Sequence, residues 1–470
     1  MKAYTATIGL EIHAELSTKS KMFCGCKNNP HGGTPNEYTC PVCLAHPGTL
    51  PRVNKEAVKK VLLVGKALNG DLATYSEFDR KNYFYPDIPK AYQLSQYEHP
   101  FVKGGQLENV AITRVHLEED TARSQHVGED SVVDFNRAGV PLMELVTEPV
   151  IHDAKTAAQF ARELQLLLRT LGVSNANMEK GEMRVEANIS ISSSKELGTK
   201  VEVKNLNSFK SVEQAILYEI SRQTEILNNN KPILQETRGW DEIKGKTFSQ
   251  RSKETAEDYR YFPDPDIPKY DLSVIGEFQS ENLSSMMRKL PAAQRAEWLT
   301  LGLKEKQIEV LLHSASLKAF FEASVAFFAE DEEKIRTATN YLTSDLAGLL
   351  SADSGRILKT ENSANFGKLI EMLVTNEITS RVAKDLLAEV VFEGADPSEL
   401  ASNRGLLQSS DSDELGLLVQ KIIADNEKVA GDYKAGKEAA LQYLVGQAIK
   451  ETRGGANPKV LAELFKQTLT

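Results

Sequence analysis

No stretch of 18 uncharged residues occurs in this 470-residue chain, so the sequence offers nothing long and apolar enough to read as a bilayer span. Glu11 and His13 fall in MKAYTATIGLEIHAEL where a secretory leader needs its apolar run, and the chain reads as cytoplasmic, with no membrane association. A positive balance is also missing. With 66 Asp and Glu against 56 Lys and Arg, the formal net charge is -10, which excludes nucleic-acid binding through overall basicity and leaves only local contacts. There is no P-loop and no G-x-S-x-G nucleophile elbow. The nearest approach to a P-loop, GWDEIKGKT (239–247), separates its glycines by five residues instead of four and places Trp240, Asp241 and Glu242 where amides must cradle phosphate; Lys246-Thr247 reads as a turn. Cysteine is scarce, with four in all, every one between positions 24 and 43.

Those four stand in MFCGCKNNPHGGTPNEYTCPVC as Cys24-x-Cys26 and Cys40-x-x-Cys43, two short knuckles across a loop rich in Gly, Pro and Asn. In a reducing compartment such clustering points to metal or catalysis rather than a disulfide. Four thiolates suit tetrahedral zinc and leave no open coordination position, so the spacing favours structural Zn2+ over metal-free thiols or a redox pair. His31 and His46 flank the loop as substitute ligands, but both read better as surface imidazoles.

At this length two or three domains are expected, and 41% hydrophobic with 26% charged residues fits ordinary globular folding. The first 290 residues mix alternating strands with Gly/Pro turns, as in MRVEANISI (183–191) and TKVEVKNLNSF (199–209). Beyond Leu290-Pro291, helices dominate. Phe366, Leu369, Ile370 and Leu373 fall at i, i+3, i+4 and i+7, as do Leu415, Leu418, Val419 and Ile422. Gly454-Gly455 stops one helix, and Asn457-Pro458 supplies an N-cap and N1 pair for the last. EGADPSELASNRG (393–405) reads as a linker or short helical connector, giving domains at 1–290, 291–405 and 406–470.

Three stretches carry carboxylates on a strand period. Glu11, His13 and Glu15 alternate with Ile8, Leu10, Ile12; Glu182, Arg184, Glu186 and Asn188 alternate with Met183, Val185, Ala187 and Ile189; VHLEEDTAR (115–123) packs His116, Glu118, Glu119, Asp120 and Arg123 together. A solvated face explains any one of them, but three in one domain point to a shared Mg2+ site, because Mg2+ favours carboxylate oxygens. Arg80, Lys81 and Arg137 are candidate phosphate cations. YFYPDIPKAY (83–92) and YRYFPDPDIPKY (259–270) share Pro-Asp-Ile-Pro-Lys, a repeated stiff, exposed, extended segment with room for base stacking.

IGLEIHAEL, the cysteine knuckles, AHPGTLPRVNKEAV, FDRKNYFYPDIPKAYQLSQYE, HLEEDTARS, DFNRAGVPLMELVTEP, EVKNLNSF, DYRYFPDPDIP and LVGQAIKETRGGANP run in order from residue 8 to about 460. Together they closely resemble the B subunits of the glutamine-dependent aspartyl/glutamyl-tRNA amidotransferases. The resemblance implies an α+β, glutamine-synthetase-like cradle domain with an antiparallel sheet, then an all-α domain and a small helical tail that contacts the tRNA body. It implies ATP-dependent phosphorylation of misacylated Glu-tRNA or Asp-tRNA, and displacement of phosphate by ammonia. That ammonia would come from an amidase (glutaminase) partner, the family's A component, with a small C component joining the two. Glu11 and His13 would then bind Mg2+, together with Glu119 in preference to Glu118, and with Glu186. Lys81 and Tyr83 would line the site of the tRNA 3′ end and phosphates; Arg137 stays a catalytic candidate through its own reading as a phosphate cation. Some members of that family lack the cysteines, so zinc would belong to a subset of it and is not required for the chemistry. The alternative is a non-catalytic scaffold that presents tRNA to an enzyme partner.

Overall fold

The computed structural model describes residues 3–252, 258–328, 331–353, 355–408, 412–452, 456 and 458–469. The Gly454-Gly455 stop and the Asn457 cap lie outside them. Two compact units emerge, Met1–Pro291 and Ala292–Thr470.

In the first unit, alternation of apolar and polar side chains builds a ten-stranded sheet. Its long strands are β1 (Thr5–Glu15), β4 (Val110–Glu119), β5 (Pro141–Thr147), β6 (Met183–Ser192), β7 (Val201–Leu206), β8 (Glu236–Asp241) and β9 (Lys246–Ser252), with β2 (Asp79–Asn82) and β3 (Tyr92–Ser95) in a separate three-stranded sheet. The order β9-β8-β7-β6-β1-β5-β4 continues into the short strands Val102–Lys103 and Asp71–Leu72. Every pair along this path is antiparallel except β7 with β8, where Glu202 lies opposite Thr237 in a parallel register. The expected purely antiparallel sheet is thus mixed, because a helix fills the β7–β8 connection and returns the chain in the same direction. The rejected P-loop is the β8–β9 hairpin, with Asp241 opposite Lys246.

Ile8, Leu10, Ile12 and Ala14 of β1 point into the core, where they meet helices α1 (Lys55–Ala67), α2 (Ala154–Leu171) and α3 (Phe209–Asn228). Each helix begins on a polar cap: Asn54 accepts from the amides of Glu56 and Ala57, Asp153 from Thr156, and Ser208 from Ser211. Gly172, left-handed at φ 68°, ends α2. The helices cover one face of the sheet, and its opposite face carries the ionisable residues.

The second unit is helical. Phe366, Leu369 and Ile370 are fully buried on α4 (Ser363–Val374), and the 393–405 segment forms α5 (Pro397–Asn403), capped by Asp396 with proline in its first turn. α6 (Ser412–Asp425), α7 (Glu427–Lys434), α8 (Glu438–Glu451) and α9 (Pro458–Leu469) enclose a core of their own, with Leu415, Val419, Leu444, Leu461 and Phe465 at its centre. Among the described residues no helix is long and apolar enough to cross a membrane.

Candidate active site

Residues directly opposite in adjacent strands share a face. The register sets His13 against both Glu144 and Arg184, Glu11 against Glu186, Glu144 against His116, and Asn188 against Glu202. Five adjacent strands therefore bring Glu202 and Lys204 (β7), Arg184 and Glu186 (β6), Glu11 and His13 (β1), Glu144 (β5), and His116 and Glu118 (β4) to one surface.

His13 Nε2 lies 3.2 Å from Glu144 Oε2, 3.6 Å from Glu118 Oε1 and 3.9 Å from Glu11 Oε1. His116 Nε2 is 3.4 Å from the same Glu144 oxygen and 3.8 Å from Glu118 Oε2. On the other side, Lys204 Nζ pairs with Glu186 at 2.7 Å and reaches Glu202 at 3.9 Å. Three groups bring their ligand atoms within 4.8 Å of one another: Glu11, His13 and Glu144; His116, Glu118 and Glu144; and Glu11, Glu186 and Glu202.

So many carboxylates strain the charge balance. Burial, and then the charges of Glu144 and Glu186, push Glu11 up to about 7. Burial opposes charge on His13, yet its hydrogen bond to Glu144 and the nearby carboxylates of Glu144, Glu118 and Glu186 raise it to about 9. The raised values mark a crowding of carboxylates that a divalent ion would relieve, and an oxygen-rich donor set with imidazole fits Mg2+.

Lys81 of β2 extends toward this surface. Burial disfavours its charge, but Tyr261, Glu118, Tyr83 and Glu144 hold its pKa well above the ordinary lysine value. Its ammonium sits over the Tyr259 ring at 4.9 Å and the Tyr83 ring at 5.8 Å. Tyr83 packs edge-on against Tyr259 at 5.9 Å and donates to Gln93 Oε1 at 3.1 Å, while Tyr97 stacks on Tyr261 at 4.5 Å. The sequence echo accounts for this nest: Phe262-Pro263 pairs with Arg80 and Asp79 of β2, so the residues preceding both Pro-Asp-Ile-Pro-Lys copies are spatial neighbours. The copies are not simply exposed turns. Ile88 and Ile267 are buried, Lys90 pairs with Glu119 at 2.6 Å, and Lys269 pairs with Glu77 at 3.1 Å.

Two sequence-based assignments shift. Glu119, expected in preference to Glu118, turns to the opposite face of β4, where it binds Lys90 and accepts the Leu94 amide at 3.0 Å; strand alternation leaves Glu118 in the cluster. Arg137 is committed to the turn after β4, donating to Thr121 O at 2.9 Å and Ala122 O at 3.0 Å beside Asp120, which Arg184 also holds at 3.3 Å. Glu144 and Glu202 escaped the sequence reading. Glu144 had a signal: it is the lone charge in the apolar run VPLMELV.

The sulfurs of Cys24, Cys26, Cys40 and Cys43 lie within 4.8 Å of one another, a set compatible with a structural metal site. Cys40 and Cys43 Sγ are 3.9 Å apart, close to the sulfur–sulfur edge of a zinc tetrahedron with bonds of about 2.3 Å. A hydrogen bond from Cys24, then the Cys40 amide and nearby Lys21, lower Cys43 to about 5 against the effect of burial. Neither flanking imidazole joins the set, and His31 instead lies 3.4 Å from Glu15.

Residues 6–275, which include this whole surface and the cysteine set, match the GatB/GatE catalytic domain. The chain belongs to the GatB/GatE family. A second match, to the GatB domain, covers 319–469. Among GatB/GatE relatives named as the B subunit of aspartyl/glutamyl-tRNA(Asn/Gln) amidotransferase, that of Rippkaea orientalis is 41% identical over 99% of this chain and 98% of its own length. Those of Caldanaerobacter subterraneus and Thermus thermophilus are 42% and 43% identical, each over 99% of both chains.

Proposed function

We propose that this chain is the kinase and transamidase component of a tRNA-dependent amidotransferase. In this reading the side-chain carboxylate of Glu or Asp, misacylated on tRNA(Gln) or tRNA(Asn), attacks the γ-phosphorus of ATP and releases ADP. Ammonia then adds to the acyl phosphate carbonyl and expels phosphate, giving the amide. Activation is needed because a carboxylate oxygen leaves poorly and a phosphate leaves readily. The names of the full-length relatives support the substrate class, and the five-strand ionisable surface inside the catalytic-domain match carries the chemistry.

Glu11, His13, Glu118 and Glu144 would hold Mg2+, with Glu186 and Glu202 at a neighbouring position. Bound there, the ion neutralises phosphate charge. Lys81 supplies a fixed positive charge beside the carboxylate cluster, while Tyr83, Tyr259 and Tyr261 exclude water from its ammonium. Arg137 and Arg184 orient Asp120 and so shape the turn that follows Glu118. Zn2+ would close the cysteine clasp and stiffen the chain just beyond β1. The first unit acts as the glutamine-synthetase-like cradle, and residues 406–470 contact the tRNA body. An amidase (glutaminase) partner supplies ammonia, and a small third component completes the assembly. The competing scaffold role gives no reason to bury carboxylates around His13.

The decisive assay combines the chain with its two partner proteins and follows conversion of Glu-tRNA(Gln) and Asp-tRNA(Asn). Failure on both substrates overturns the proposal. If, at saturating tRNA, a Glu11→Ala/His13→Ala variant keeps wild-type ATP cleavage and acyl phosphate formation while its tRNA affinity falls, the scaffold is favoured.

A further inference from the structure

Lys21 is the one lysine among the largest fully buried side chains, with no exposed surface at all. A buried ammonium is costly unless an anion and hydrogen-bond acceptors compensate it. Among the described residues no carboxylate lies within ion-pair distance. Its Nζ donates to the Phe135 carbonyl at 3.1 Å, and its other polar neighbour is Cys43 Sγ at 3.8 Å. The backbone fixes this placement: Lys21 N donates to Cys26 O at 2.9 Å, Asn54 Nδ2 donates to Lys21 O at 3.2 Å, and Met22 N donates to Gly139 O at 2.7 Å. Gly139 is left-handed at φ 81°, and a Cβ added there would stand 3.7 Å from both Lys21 Cδ and Cys43 Cβ, so this glycine flanks the lysine stem and the cysteine together. The ammonium is thus held beside the sulfur by the chain on both sides.

We infer that Lys21 is the resident counter-cation of the four-cysteine site, holding the negative charge that four thiolates carry in excess of one divalent ion and thereby setting how tightly the site retains its metal. This rests on the reading of the cysteines as a zinc site. Four thiolates around Zn2+ carry two net negative charges, and burying them beside Lys21 halves that excess. Cys43 is the buried member of the set, and it also receives the Cys40 amide at 3.2 Å. Its sulfur therefore has two N–H donors, which withdraw electron density and slow its protonation and departure from a metal. The alternative is that Lys21 acts only by its aliphatic stem, as a packing element.

Lys21→Met preserves the stem and removes the charge, and Lys21→Gln keeps an N–H donor for Phe135 without charge. The test is made on the full chain in its assembled complex: zinc content by metal analysis, then the rate of zinc transfer to a chromophoric chelator, with circular dichroism confirming the fold. The inference expects both variants to release zinc about tenfold faster or more, the range typical of lost outer-shell partners. Wild-type release from a folded variant overturns it, and either variant suffices if the other does not fold. Wild-type protein that takes up no zinc overturns the metal reading as well, so the two failures are distinguishable.

Discussion

Glu144 ties the cluster together, since both imidazoles meet its Oε2, the half-buried His13 at 3.2 Å and the buried His116 at 3.4 Å. Glu144→Gln should weaken Mg2+ binding and ATP-dependent phosphorylation on the order of 100-fold or more, because it removes charge from two overlapping ligand groups. Glu119→Gln, one residue from Glu118 but on the other face, should leave the Mg2+ midpoint within about twofold of wild type. Titrations of the two variants check this, and equal losses would mean that the face assignment is wrong. The same residues predict a pH effect. Glu11 is raised to about 7 and His13 to about 9 in the folded protein. Both are raised, so the stability they contribute is complete below their unfolded values, near 4.5 and 6.5, and is lost as pH climbs through about 7 and about 9. Metal-free protein should therefore lose thermal stability from about pH 5 to about pH 9. Mg2+ bound there would have to displace both protons, so its midpoint should fall by up to about a hundredfold per pH unit below about pH 7 and by up to about tenfold between about pH 7 and about pH 9. A midpoint constant with pH would contradict the proton competition.

At the scale of elements, the cysteine clasp is tied to the turn at 137–140 and to the start of α1, through Met22 N to Gly139 O and Asn54 N to Met22 O. Cys40→Ser should abolish zinc retention and lower the melting temperature by several degrees, with activity falling only as far as β1 loosens. Complete loss of phosphorylation in a folded Cys40→Ser protein would instead place the chemistry at the sulfurs. The alternations in β1 and β6 and the knuckle spacing were legible because strand period and metal-ligand spacing are local properties. The joining of strands is not local. Nothing in VEVKNL says that Glu202 lies beside Glu186, because that depends on β7 pairing with β6 and on α3 carrying the chain to a parallel β8. The separation of Glu118 from Glu119 was hidden for a related reason: adjacent glutamates look equivalent until the strand assigns them to opposite faces.

Taken whole, the molecule carries a net charge of -10, and residues 406–470 are nearly balanced, with nine acidic against eight basic residues. Some of those cations are already engaged: Lys421 pairs with Glu451 at 2.8 Å and Lys437 with Asp432 at 3.0 Å. A tail of this kind can offer few charges to a phosphate backbone, so under the proposed function tRNA recognition would rest more on shape, stacking and the acylated end than on counterion release. Each phosphate contact adds about -0.7 to -0.9 to the slope of log K against log salt, so the slope for tRNA binding should lie between about -2 and -5. Affinity measured from about 50 to about 300 mM salt checks this; a slope of about -10 would require a broad cationic surface, on this chain or supplied by its partner proteins. Repeating the titration with residues 406–470 deleted measures the tail's share. If the tail touches the tRNA body, its removal should weaken binding while making the slope shallower by only about 1 to 2, because the tail's acidic and basic residues nearly balance.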